Sequence, residues 1–132
     1  MAFVDTSSWV ALRHARDRHH AEARELLRLH ADEPLVTSDH VRGETWTWLR
    51  RRAGHRAAVA FVEALTASPR LRVITVRPEQ EEAALAWLRV HDERPFAFVD
   101  ATSFVLMQAV GIREALAFDG GSAAAGFVEL RP

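Results

Sequence analysis

Short apolar runs alternate with segments of helical periodicity along the whole chain, and this alternation constrains the fold more than any other feature. The helical segments place apolar residues three and four positions apart, as in Ala23, Leu26 and Leu27. Alternating strands and helices build a parallel sheet that is covered by helices on both faces. We therefore predict a three-layer α/β/α fold with a short, mostly parallel central sheet. The predicted strands are residues 2–4, 35–37, 71–76, 115–118 and 127–130.

Local signals place the helices between these strands. The pattern predicts a short helix over Ser8–His14, a second from Asp17, a third that ends in three arginines (50–52) and a fourth after Gly54. A fifth helix starts at Pro78, with Ala83, Trp87 and Val90 as its predicted apolar stripe. Residues 96–110 are apolar almost all the way round, which predicts a largely buried helix, and Gly111 ends it.

Length and composition limit the class of protein. A chain of 132 residues has room for one domain, which we assign to residues 1–132. It has no apolar run long enough to span a membrane and no signal-like N-terminus, so we expect a cytoplasmic protein. The absence of cysteine excludes disulfides and thiolate metal sites. The net charge is −1, and all 17 basic residues are arginine.

Two aspartates directly follow predicted strands. Asp5 comes after residues 2–4, and Asp119 comes after residues 115–118. Ligands of open parallel sheets collect outside the carboxyl ends of the strands, so both are candidate site residues. Each also has an ordinary alternative role. Asp5 is suited to cap the following helix, and Asp119-Gly120 is a favoured hairpin turn.

Two further acids lie on predicted helices. Glu44 falls on or beside the apolar stripe of its helix, where a carboxylate is costly unless it is paired, hydrogen-bonded or bound to a metal. A salt bridge to a core-facing arginine is the alternative for Glu44. Asp100 opens the most apolar helix, where it either lies in a cleft or interacts only with the helix dipole.

Four acids from distant parts of the chain would repel one another if they were crowded without a counter-ion. A divalent cation removes this repulsion, and an all-oxygen carboxylate site favours Mg²⁺ or Mn²⁺ over zinc. Seven histidines are also present, but their spacing shows no convincing metal-binding pair.

Short motifs around these acids resemble the PIN domain, and within it the VapC-like toxins of bacterial toxin–antitoxin systems. The similarity runs from Ala2 to Leu130, and its strength lies in the order and spacing of the motifs. They are Phe3-Val4-Asp5-Thr6-Ser7-Ser8, Gly43-Glu44-Thr45, Phe98-Val99-Asp100-Ala101-Thr102-Ser103-Phe104, and Ala117-Phe118-Asp119 followed by Ala125-Gly126-Phe127.

The resemblance implies a metal-dependent ribonuclease in which an acidic quartet is catalytic and holds Mg²⁺ or Mn²⁺. The quartet would be Asp5, Glu44, Asp100 and Asp119. The resemblance also implies a homodimer, an RNA substrate and inhibition by a cognate VapB-like antitoxin. The sequence departs from the family after the last aspartate, where Gly120-Gly121-Ser122 stands in place of a basic or aromatic residue.

Other residues have two possible roles. We expect Thr6 and Ser103 either to hydrogen-bond the ligating carboxylates or to serve in capping and packing. Trp48 and Trp87 are predicted core residues, whereas Trp46 lies off its stripe and is the better candidate for an exposed contact. Arginines 50–52 suit either phosphate binding or the negative end of the helix dipole.

Two other functions compete with the nuclease hypothesis. One is a non-catalytic acidic-pocket module that binds an arginine-bearing partner peptide. The other is a phosphohydrolase with a nucleophilic aspartate, but Ser7 stands where the haloacid-dehalogenase pattern needs a second aspartate.

Overall fold

The computed structural model describes all residues, 1–132, and consists of five strands and seven helices. In chain order the elements are β1 (Ala2–Val4), α1 (Thr6–Arg13), α2 (His20–Leu29), β2 (Leu35–Ser38), α3 (Asp39–Arg52), α4 (His55–Ala67), β3 (Leu71–Ile74), α5 (Pro78–Val90), α6 (Phe98–Val110), β4 (Glu114–Leu116), α7 (Gly121–Ala124) and β5 (Val128–Glu129). None of the helices is long and apolar enough to cross a membrane.

All strand pairs of the single sheet are parallel, and the strand order is β3-β2-β1-β4-β5. This confirms the predicted parallel α/β fold. The central strand β1 is buried along its whole length, because helices cover it on both faces. Its residues Phe3 and Val4 pack in one core with side chains such as Leu26, Phe61 and Met107.

The order of the strands reverses between β1 and β4. Successive connections run from β1 to β2 and then to β3 on one side, whereas the connection through α5 and α6 returns to β4 on the other side of β1. Right-handed crossovers then place α1 to α4 on one face of the sheet and α5 to α7 on the other. A crevice therefore opens at the carboxyl ends of β1 and β4, which is the usual ligand position in such sheets.

The structure differs from the sequence-based expectation or decides an open alternative in three local features. The buried face of α5 carries Ala84, whereas Val90 is 75% exposed, so the predicted stripe is displaced by about one residue. The Asp119-Gly120 segment is not a hairpin turn, because β5 pairs with β4 in parallel. A short helix, α7, makes this parallel connection possible, and no local pattern predicted it.

Gly111 behaves as the sequence predicts. It adopts a left-handed conformation with φ of 73° directly after α6, and the following Ile112 N–H donates to the Met107 carbonyl. This geometry ends the helix and turns the chain towards β4.

Candidate active site

Asp5 combines the two roles that its sequence position allowed. It follows β1 and caps α1, where its Oδ2 accepts hydrogen bonds from the Ser7 N–H (3.4 Å) and the Ser7 hydroxyl (2.9 Å). Its own N–H donates to the Leu116 carbonyl of β4. Asp5 is only 5% exposed, which is a costly position for a carboxylate with no cationic partner.

Ser7 links the ends of the two central strands. Its hydroxyl donates to Asp5 and also accepts a hydrogen bond from the Phe118 N–H at 3.0 Å. The expected contributors are placed otherwise, because Ser103 donates to the Val99 carbonyl and the buried Thr6 hydroxyl has no partner. Sequence reasoning missed Ser7, although its position two residues after Asp5 is typical of a capping partner.

Asp119 lies just beyond β4, with its side chain at the surface. Its Oδ1 accepts a hydrogen bond from the Gly121 N–H (3.0 Å), which fixes the turn into α7. Its carbonyl oxygen accepts a hydrogen bond from the Arg94 guanidinium. Arg94 comes from the loop between α5 and α6 and is a second neighbour of the site that the sequence did not reveal.

Two helices from opposite faces of the sheet carry the remaining acids. Glu44 is half-buried on α3, and Asp100 lies in the first turn of α6. The Asp100 Oδ2 accepts a hydrogen bond from the Ala97 N–H at 2.8 Å, so Asp100 interacts with the helix start while its side chain faces the crevice. No salt bridge involves Glu44, which removes the arginine pairing considered for it.

All four acids of the quartet line one cavity of about 350 Å³ at the carboxyl edge of the sheet. Burial raises the pKa of Asp5 to about 7, with a further increase from the neighbouring Asp119, against the lowering effect of the Ser7 hydrogen bond. Burial also raises the pKa of Asp100. The Ala97 hydrogen bond and Arg94 oppose this shift, whereas Asp119 and Glu44 add to it. The cavity is therefore electrostatically under-compensated in the protein alone.

The donor chemistry of this cavity fits a hard divalent cation. Most of the charged groups that line it are carboxylates, with Arg18 and His19 beside them, and the buried Thr6 hydroxyl on the same wall lacks a partner. No three acidic or histidine side chains converge closely enough to form a ready-made metal site. The quartet thus surrounds the cavity, with charge and oxygen ligands that suit Mg²⁺ or Mn²⁺.

A second, more open cavity of about 730 Å³ adjoins the first along α3. Glu44 and Trp48 line both cavities, and Arg51 and Arg52 lie on the wall of the second. The Arg52 guanidinium carbon is 5.5 Å from the Trp48 ring centroid. Trp48 packs against the core, as predicted, and its indole also lines both cavities, whereas Trp46, the candidate for an exposed contact, packs against the core and His55.

The parallel α/β fold and the acidic crevice at its carboxyl edge together indicate the class of protein. They agree with the PIN-like architecture that the sequence motifs implied, and the family model described as "PIN domain" matches residues 2–127. The chain belongs to the PIN domain family.

Proteins similar to this chain include a VapC endonuclease and solved structures of toxins. The chain is 54% identical over 134 residues to the 23S rRNA-specific endonuclease VapC20 of Mycobacterium tuberculosis strains H37Rv and CDC 1551, covering 100% of this chain and 99% of that protein. The crystal structure of M. tuberculosis VapC20, described as a sarcin–ricin loop cleaving toxin, superposes with a TM-score of 0.94 at 52% identity over the whole of both chains. A toxin–antitoxin complex from Klebsiella pneumoniae shares the fold, with a TM-score of 0.61 at 19% identity over 92% of this chain and 94% of that chain.

Proposed function

We propose that this protein is a metal-dependent endoribonuclease and the toxin of a toxin–antitoxin pair. The observation that carries the proposal is the acidic quartet, whose members come from four separate segments and line one cavity. A VapC endonuclease with 54% identity over the full chain supports the toxin assignment. We extend the proposal to the substrate named for that relative, the sarcin–ricin loop of 23S rRNA.

In this proposal the four acids of the quartet would hold Mg²⁺ or Mn²⁺. When bound, such a cation supplies charge stabilisation for the phosphoryl group and makes a water molecule more acidic. The protein's own residues hold the carboxylates in place. Ser7 fixes the Asp5 carboxylate against the end of β4, and the Ala97 N–H holds the Asp100 carboxylate at the start of α6.

The surroundings of the quartet suit an RNA chain. Four carboxylates alone would repel phosphates, and Arg51 and Arg52 on the adjoining wall offer cationic contacts. The indole of Trp48 lies between the acidic and arginine-bearing cavities, where a nucleobase would have an aromatic surface to stack on. Local charge thus favours RNA, although the net charge of the chain is −1.

We further propose that residues 1–132 form a single PIN domain and that the protein is a homodimer. We also propose that it acts in the cytoplasm, where ribosomal RNA is located. Leu85 and Val90 on α5 are exposed apolar side chains available to a second subunit. A VapB-like antitoxin is the proposed inhibitory partner, consistent with the antitoxin present in the related Klebsiella complex. Light scattering at micromolar concentration tests the dimer, because a clean monomer mass contradicts it.

The decisive experiment is cleavage of purified ribosomal RNA with mapping of the new ends. Wild-type protein is expected to cut within the sarcin–ricin loop in Mn²⁺ and to lose activity in EDTA. The Asp5→Ala variant should be folded and inactive. Expression of the wild type should inhibit growth, whereas expression of Asp5→Ala should not. Cleavage that persists in EDTA contradicts the metal-nuclease assignment. A folded wild type that never cleaves RNA but still binds an arginine-bearing antitoxin peptide favours the non-catalytic acidic-pocket alternative.

A further inference from the structure

Arg94 places a cation beside Asp119, where the local sequence supplies none; Arg131, over the Phe118 ring, is a second arginine at the end of β4. The three residues after Asp119 carry no basic or aromatic side chain. The Arg94 guanidinium occupies the adjoining space instead, donating a hydrogen bond to the Asp119 carbonyl. A Cβ atom at Gly120 would lie only 3.3 Å from Arg94 Nη2, so the glycine allows the guanidinium to approach the backbone closely.

Most of the hydrogen-bonding capacity of Arg94 is unused by the protein. A guanidinium has five N–H donors, and the single side-chain hydrogen bond of Arg94 goes to the Asp119 carbonyl. The structure contains no salt bridge to Arg94, although Asp119 and Asp100 are close by. The side chain is exposed to solvent. Arg94 is therefore anchored at one point, with its remaining donors free for a ligand.

The position of Arg94 suits a phosphate ligand. Five carboxylates and one arginine, Arg18, line the quartet cavity, so RNA that approaches it meets an excess of negative charge. Arg94 lies outside this lining but acts on Asp100, and its charge beside Asp119 reduces the repulsion that the RNA meets. A planar guanidinium can also donate two parallel hydrogen bonds to phosphate oxygens.

We propose that Arg94 is a substrate-binding residue that receives a phosphate group of the RNA beside the acidic quartet. This inference rests on the proposed ribonuclease function. It assigns to Arg94 the phosphate contact that the segment after Asp119 lacks. The hydrogen bond to the Asp119 carbonyl and the close approach to Gly120 hold the guanidinium ready for this contact before RNA arrives.

The test is steady-state cleavage of a sarcin–ricin loop RNA hairpin by wild type, Arg94→Gln and Arg94→Lys at several salt concentrations. Arg113→Gln is the matched control, because Arg113 is exposed and precedes β4, at the opposite edge of the sheet. For Arg94→Gln we expect KM to rise about 10-fold and kcat to change less than about 3-fold. The slope of log KM against log salt concentration should fall by about one, because one phosphate contact is lost. Arg94→Lys, which keeps the charge, should give an intermediate KM and retain the salt dependence.

Several outcomes would overturn the inference. Equal KM and salt dependence for Arg94→Gln and Arg113→Gln would remove Arg94 from the RNA site. A lower melting temperature and kcat with an unchanged KM would assign Arg94 a purely structural role. If Arg94→Gln does not fold, a KM for Arg94→Lys equal to that of wild type overturns the inference on its own. Failure of wild type to bind or cleave the hairpin refutes the proposed function itself, whereas an active wild type with an unaffected Arg94→Gln refutes only the inference.

Discussion

The stability of the Asp5→Asn variant relative to the wild type should increase with pH when no metal is bound. Burial, together with the charge of Asp119, raises the pKa of Asp5 from 3.8 to about 7. The folded protein therefore holds a proton that the unfolded chain releases between these two values. Stability contributed by this proton is fully present below about pH 4 and is lost as the pH rises through 7. Asn at position 5 has no charge to bury, and its amide oxygen can still accept the Ser7 hydrogen bonds.

The size of the effect follows from the pKa shift. Each pH unit between the unfolded and folded pKa values removes about 1.4 kcal/mol of wild-type stability. The advantage of Asp5→Asn should therefore grow by about 2 to 3 kcal/mol between pH 5 and pH 8 and change little above that. A pH-independent offset comes from the new amide NH₂ group, which costs about 1 to 3 kcal/mol if it finds no acceptor. The dependence on pH, rather than the value at one pH, is the measure of Asp5 ionisation.

Urea unfolding in EDTA at pH 5, 6, 7 and 8, followed by tryptophan fluorescence at one protein concentration, measures this difference. Asp32→Asn is the matched control, because Asp32 is an exposed aspartate and the same substitution there should give no comparable trend. Saturating Mn²⁺ should reverse the ranking, since the cation stabilises only the protein that retains its ligand. A stability difference between wild type and Asp5→Asn that is constant from pH 5 to pH 8 would refute the reasoning, because it would mean that the folded and unfolded states ionise Asp5 alike.

Three other predictions follow from the site. Mn²⁺ at about 100 times its dissociation constant should stabilise wild type by about 2.7 kcal/mol in thermal or urea unfolding, and an unchanged melting temperature would count against a cation site. Ser7→Ala should cost about 1 to 3 kcal/mol in urea unfolding and lower cleavage, because the Phe118 N–H loses its acceptor and Asp5 loses its donor; unaltered stability and kcat would contradict the bridging role. Trp48→Ala should weaken RNA binding by about 1 to 3 kcal/mol, measured as KM, in addition to the stability lost from its packing against the core. Trp46→Ala is its control, because Trp46 also packs against the core but lines neither cavity and should affect stability without changing KM.

Local sequence was sufficient for the features that depend on neighbouring residues. Apolar runs predicted where the strands lie. Gly111 predicted the end of α6, because glycine adopts the left-handed conformation at the lowest energetic cost. Asp5 was recognised as both a cap and a strand-end residue, and it has both positions. The members of the acidic quartet were chosen because a carboxylate on an apolar face or at a buried strand end is costly wherever the chain folds.

Only the tertiary structure decided how these pieces meet. The order β3-β2-β1-β4-β5 and the parallel pairing of β5 depend on contacts between residues distant in sequence, so the local pattern Asp119-Gly120 left a hairpin open as an alternative that the structure excludes. For the same reason the sequence did not reveal that Trp48 also lines the cavities, or that Ser7 and Phe118, 111 positions apart, are hydrogen-bonded. Arg94 is one of 17 basic residues, with no local pattern to distinguish it. It becomes a candidate because the chain returns through α6 and β4 and brings the Arg94 loop against Asp119. The chemistry of a side chain can be read from the sequence, but which side chains lie close together depends on how the whole sheet and its helices pack.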